Sequence, residues 1–85
     1  SMEEIEVGKV TDFFSKPVVA GIDVYGSLKK GDLIRIKGAT TDLEFVLASM
    51  QIEHISVLEA RPGDLIGIKV PDRVRPGDHV YKVIE

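Results

Sequence analysis

Apolar and polar positions alternate in short runs along this chain, and glycine punctuates the runs. Glu4-Ile5-Glu6-Val7-Gly8-Lys9-Val10-Thr11 opens with charged and apolar residues in turn, the period-two signal of a half-buried strand. Phe13-Phe14 follow, and Ser15-Lys16-Pro17 reads as the first turn. Val18 to Val24 is rich in β-branched side chains and predicts a second strand. Tyr25 to Gly31 is a connection ending in a turn. Leu33-Ile34-Arg35-Ile36-Lys37 alternates cleanly, with Ile34 and Ile36 on one face and Arg35 and Lys37 on the other. Gly38 to Asp42 is the next turn. Leu43 to Ile52 would suit a helix by composition, but Leu43, Phe45 and Leu47 sit two apart and no helix caps bracket the segment. It is read as one long strand or two, bent near Ser49. Leu65 to Val70 and His79 to Val83 complete the set.

About six or seven strands, with turn signals every roughly 8–15 residues, predict an all-β domain: a small, mostly antiparallel Greek-key barrel. Closure removes the exposed edges of a short open sheet, and the connections leave no room for a crossover helix. A chain of 85 residues supports one core, so residues 3–85 are expected to form a single domain. Ser1 reads as a cloning remnant ahead of Met2 as initiator.

Three turns share one form: Lys30-Gly31-Asp32, Pro62-Gly63-Asp64 and Pro76-Gly77-Asp78, each just ahead of an apolar strand. Proline presets the second turn position, glycine takes a positive φ at little cost, and aspartate can bond back to the turn backbone. That structural role is favoured over a carboxylate cluster for a metal.

Read in order, these turns carry a resemblance. Gly8-Lys9-Val10 followed by Gly26-Ser27-Leu28-Lys29-Lys30-Gly31-Asp32 resembles the opening of the second domain of translational GTPases. Ser49-Met50-Gln51-Ile52-Glu53-His54, then Glu59-Ala60-Arg61-Pro62-Gly63-Asp64-Leu65-Ile66-Gly67-Ile68, resembles that domain's later half, and Val74-Arg75-Pro76-Gly77-Asp78 the turn before its last strand. The likeness is strongest to the elongation factors that deliver aminoacyl-tRNA. The same barrel is similar to the C-terminal domain of collagenase-like peptidases and tRNA-hydroxylation proteins. The resemblance implies a non-catalytic barrel that contacts tRNA or rRNA, or a translation-related or tRNA-modifying protein. Tyr25 stands where the family often carries an arginine.

Composition narrows the chemistry. Cysteine is absent, which excludes disulfides, thiol catalysis and cysteine-ligated metals. No apolar run is long enough to cross a bilayer, so no membrane partner and a cytoplasmic site are expected. No phosphate-loop motif is present, so no nucleotide is expected. His54 and His79 sit on separate elements and are read as solvated or packed side chains; no metal, cofactor or catalytic residue is expected, and the chain is not read as an enzyme. The net charge of −3 argues against a general polyanion binder. Lys29, Lys30, Arg35, Lys37, Arg61, Arg73 and Arg75 are the candidates for a local phosphate-binding stripe, against the alternative of an ordinary solvated surface. A second candidate surface is apolar. Phe45-Val46-Leu47-Ala48 offers apolar side chains to both faces of a strand, and Phe13-Phe14 does the same. Either a bulge turns both faces to the core, or Phe14, Phe45 and Val46 form a protein-docking patch.

Overall fold

The computed structural model describes residues 2–85. Ser1, read above as a remnant, lies outside the described residues. These residues form ten strands and no helix: β1 (Glu3–Ser15), β2 (Val18–Val24), β3 (Leu28–Lys29), β4 (Leu33–Lys37), β5 (Asp42–Val46), β6 (Met50–Ile52), β7 (Ile55–Val57), β8 (Glu59–Ala60), β9 (Leu65–Lys69) and β10 (His79–Ile84). All pairings are antiparallel. The main sheet runs β5-β4-β10-β1-β2-β9-β6-β7, and β3 pairs with β8 alongside it. The result is the expected small all-β barrel, in which the last strand returns to lie beside the first.

Alternation decides the inside. Ile34 and Ile36 of β4, Ala20, Ile22 and Val24 of β2, and Ile66 and Ile68 of β9 are buried in one core, while the residues between them face out. β1 is long enough to serve two neighbours. Its first half pairs with β10 and its second with β2, and a register shift between Val10 and Asp12 re-aims the strand midway.

Two expectations change and a third narrows. β1 runs through Phe13 and Phe14 to Ser15, because pairing with Val18–Ala20 carries the hairpin to its tip. The span Tyr25–Gly31 is not all connection: Leu28 and Lys29 pair with Ala60 and Glu59. Leu43–Ile52, read as one long strand or two, is two. β5 ends at Val46, and β6 lies on the far side of the sheet against β9, so the chain crosses between them at Leu47–Ser49.

The three glycine–aspartate turns are one device used three times. Gly31, Gly63 and Gly77 have φ of 95°, 96° and 94°, a region glycine occupies freely. Each aspartate carboxylate accepts the amide three residues back: Asp32 from Lys29 (2.9 Å), Asp64 from Arg61 (2.8 Å) and Asp78 from Arg75 (2.8 Å). Each turn also brackets a buried residue from another part of the chain with two backbone bonds. Gly77 N–H donates to the Val10 carbonyl and Val10 N–H to that of Asp78, both 2.8 Å. Gly63 and Asp64 grip Val24 in the same way, and Gly31 and Asp32 grip Leu47. The aspartates are thus spent on backbone.

Candidate functional site

The basic residues do not form one stripe. Arg35, facing out from β4, makes a two-pronged contact with Asp42 (Nε to Oδ1 3.0 Å, Nη2 to Oδ2 3.1 Å), and its third nitrogen lies 3.3 Å from Glu4. The Arg35 guanidinium holds the Asp42 carboxyl below its ordinary range. Lys37 reaches the other Glu4 oxygen at 3.4 Å and lies over the Tyr81 ring. Both cations are therefore partnered on their own surface. Arg73 lies over the Phe13 ring, and Arg75 donates to Thr40 Oγ1 at 2.8 Å; these two line a recess with Asp42 and Asp72. Lys29 and Arg61 meet in another recess with Asp32 and Glu59, joined by Lys82, which donates to Ser27. Lys30 stays exposed at its turn. Lys82 was missed by sequence reasoning, because only the pairing of β3 with β8 exposes that recess beside β10.

A second polar cluster joins β1, β10 and the residue that follows β2. The Tyr25 hydroxyl donates to the Glu6 carboxylate, with the Gly8 carbonyl 3.0 Å away, and His79 Nδ1 lies 3.0 Å from the same Glu6 oxygen. The tyrosine bond, helped by His79, holds Glu6 below its ordinary value. Enclosure of the hydroxyl, reinforced by the Glu6 charge, pushes Tyr25 up to about 12. His54 is remote from this cluster, in the turn between β6 and β7.

The apolar candidates divide. Phe45 is half-buried and packs on the core from β5, which removes it from the docking patch. The β4–β5 register is uninterrupted, so no bulge explains Val46; it simply faces out and is 60% exposed. Phe13 packs on the core, and Phe14 is 57% exposed.

Phe14 opens onto a groove of about 630 Å³ on the outer face of β1, β2, β9 and β6. Asp12 and Phe14 stand on one side and Gln51, Glu53 and His54 on the other; Lys16 and Pro17 line it from the β1–β2 tip, and Val19 and Leu65 add apolar surface. Leu65 is 64% exposed. The floor is Gly21 opposite Gly67. Sequence reasoning passed over this groove. Leu65 shares the outward parity of Gly67, a legible signal, but the facing of the two glycines needs the β2–β9 register. Glu53 and His54 close the β6–β7 hairpin with φ of 49° and 65°, both left-handed, a conformation usually given to Asn-Gly.

No family model matches this chain. It is 45% identical over 83 residues to an uncharacterized protease of Methanocaldococcus jannaschii, covering 96% of this chain and 20% of that protein. It is 35% identical over 82 residues to a collagenase of Porphyromonas gingivalis, covering 94% and 20%. Its fold is that of the C-terminal domain of a U32 peptidase of Geobacillus thermoleovorans. One crystal structure of that domain superposes with a TM-score of 0.86 at 18% identity, covering 89% of this chain and 96% of the other. A second gives 0.85 at 19% identity, covering 89% of each. Of the two likenesses read in the sequence, these relatives bear out the one to collagenase-like peptidases. The chain spans about a fifth of the length of the curated relatives it matches. Among the described residues, no helix is long and apolar enough to cross a membrane.

Proposed function

We propose that the domain is a non-catalytic docking module of a peptidase-like protein, which seats on the larger body of such a protein through the groove between Phe14 and Leu65. The observation that carries this is the exposure of both large apolar side chains on one depression, a concentration that marks an interaction surface in a small domain. The lengths support it: the relatives carry about four-fifths of their chain outside the matched segment, where the chemistry of those proteins is placed by this reading. A reducing, cytoplasmic setting accords with the absence of cysteine.

The test mixes the purified chain with the Methanocaldococcus relative from which the matching segment has been deleted, and follows complex formation by calorimetry. Phe14→Glu and Leu65→Glu are expected to weaken the complex at least about tenfold, whereas Arg35→Ala and moderate salt change it little. A body that is insoluble alone, and is rescued by the wild-type module but not by Leu65→Glu, supports docking equally well. Absence of a complex, or one that Leu65→Glu leaves intact, refutes the reading.

A second reading, contact with tRNA or rRNA in translation or tRNA modification, is favoured by one observation: Lys29, Arg61 and Lys82 share a recess. An amide-shift titration with bulk tRNA at low and moderate salt decides it. Salt-sensitive shifts at these residues support phosphate contact, and their absence at low salt removes it.

A further inference from the structure

We propose that the floor of the groove is a seat for an aromatic side chain of the partner polypeptide; this rests on the docking reading above. Pairing places Asp12 opposite Gly21, Gly21 opposite Gly67 and Gly67 opposite Gln51, so one row crosses four strands and its two middle positions are bare backbone. A glycine inside a strand is destabilising and usually answers a local need. Gly67 has none within its own fold. Its φ lies outside the left-handed region, and a Cβ built on it would meet nothing nearer than Val19 Cγ1 at 3.8 Å, an ordinary contact. Gly21 is more confined, with Thr11 Oγ1 at 3.1 Å from such a Cβ. A strand glycine that the fold does not require marks a place where another molecule approaches the backbone.

The dimensions and the walls name the occupant. Two bare strands at about 4.8 Å spacing leave a floor roughly 10 Å wide, the breadth of one ring system. Val19 and Leu65 bound it, and Phe14 offers an aromatic ring for offset or edge contact. Asp12 and Glu53 outnumber Lys16 in the lining, so the groove carries a negative balance that disfavours a phosphate backbone, and the ring is assigned to a protein and not to a nucleobase.

The experiment titrates the labelled chain with N-acetyl-tryptophanamide and, separately, with N-acetyl-leucinamide, following amide shifts. Saturable shifts centred on Gly21 and Gly67 are expected, with the leucine probe about fivefold weaker. Gly67→Ala, whose Cβ makes only an ordinary contact with Val19, should weaken them, and Gly67→Val, which fills more of the floor, should abolish them. In the docking assay Gly67→Val should cost about tenfold. Equal binding of both probes, or no shift at either glycine, overturns the seat. If Gly67→Val docks like wild type while Leu65→Glu does not, the seat is wrong and the docking reading stands. If Leu65→Glu also docks like wild type, the docking reading itself falls.

Discussion

The three aspartate turns form a graded experiment, because the same bond is made at three depths. Asp78 is 6% exposed, whereas Asp32 and Asp64 are half-buried. Replacing each by alanine removes one carboxylate acceptor from a backbone amide. A hydrogen bond to a charged group is worth about 1.5–3 kcal/mol, less where water can replace it. Asp78 carries an added load. It packs under Gly38, where a Cβ would come within 1.9 Å of its Oδ1, so its removal also empties space beside the β4–β5 turn. Asp78→Ala is therefore expected to cost about 2–3 kcal/mol, against about 1 kcal/mol for Asp32→Ala or Asp64→Ala. At roughly 4–8 °C per kcal/mol for a domain of this size, Asp78→Ala lowers Tm by about 10–20 °C and each of the others by about 5 °C. Urea and thermal unfolding followed by far-ultraviolet circular dichroism measure all three. Asp78→Asn keeps an acceptor oxygen and should recover at least half of the loss. Three equal losses, or an Asp78→Ala protein as stable as the Asp64→Ala protein, would refute the claim that burial sets the worth of this turn.

Replacing Glu53-His54 by Asn-Gly should raise stability by about 1–2 kcal/mol, since two side-chain-bearing residues leave the left-handed region; a lower urea midpoint would contradict it. The Tyr25–Glu6 contact makes stability depend on pH at both ends. Tyr25 titrates at about 12 instead of 10.0, so its contribution is complete below pH 10 and drains away as pH rises toward 12. Glu6 is held below 4.5, so its contribution is present above that value and lost as pH falls below it. Tyr25→Phe should flatten the alkaline limb and shorten the acid one in urea midpoints measured across pH. An unchanged alkaline slope would sink the assignment.

Much of the barrel was legible because its strands obey period two: Ile34 and Ile36 point in, and Arg35 and Lys37 point out, as alternation requires. The turns were legible for a chemical reason, since proline, glycine and aspartate each suit one position of the same turn. What escaped was set by partners distant in the chain. Nothing local separates β5 from β6; they part because β4 claims one and β9 the other. Phe45 and Val46 are equally apolar, and only the side of β5 that meets the core tells them apart. The groove was invisible for the same reason. Gly21 and Gly67 each read as an ordinary strand glycine until register sets them face to face. The charges Arg35 and Lys37 looked free because Glu4 and Asp42 reach them from other strands.

The paired grip of each turn on Val10, Val24 and Leu47 has a kinetic side. The clasps on Val10 and Val24 join segments that are far apart along the chain, so neither closes until the sheet has largely assembled, whereas the clasp on Leu47 extends the β4–β5 hairpin at the sheet edge and can open with it. The amide protons of Val10 and Val24 should accordingly exchange with solvent at the slowest rates in the molecule and at a common rate, as reporters of whole-domain opening, and that of Leu47 should exchange faster. The Lys16–Pro17 tip, which no clasp holds, borders the groove that Phe14 walls, so exchange at the flanking Ser15 and Val18 amides would report on that end of the groove separately from the domain as a whole.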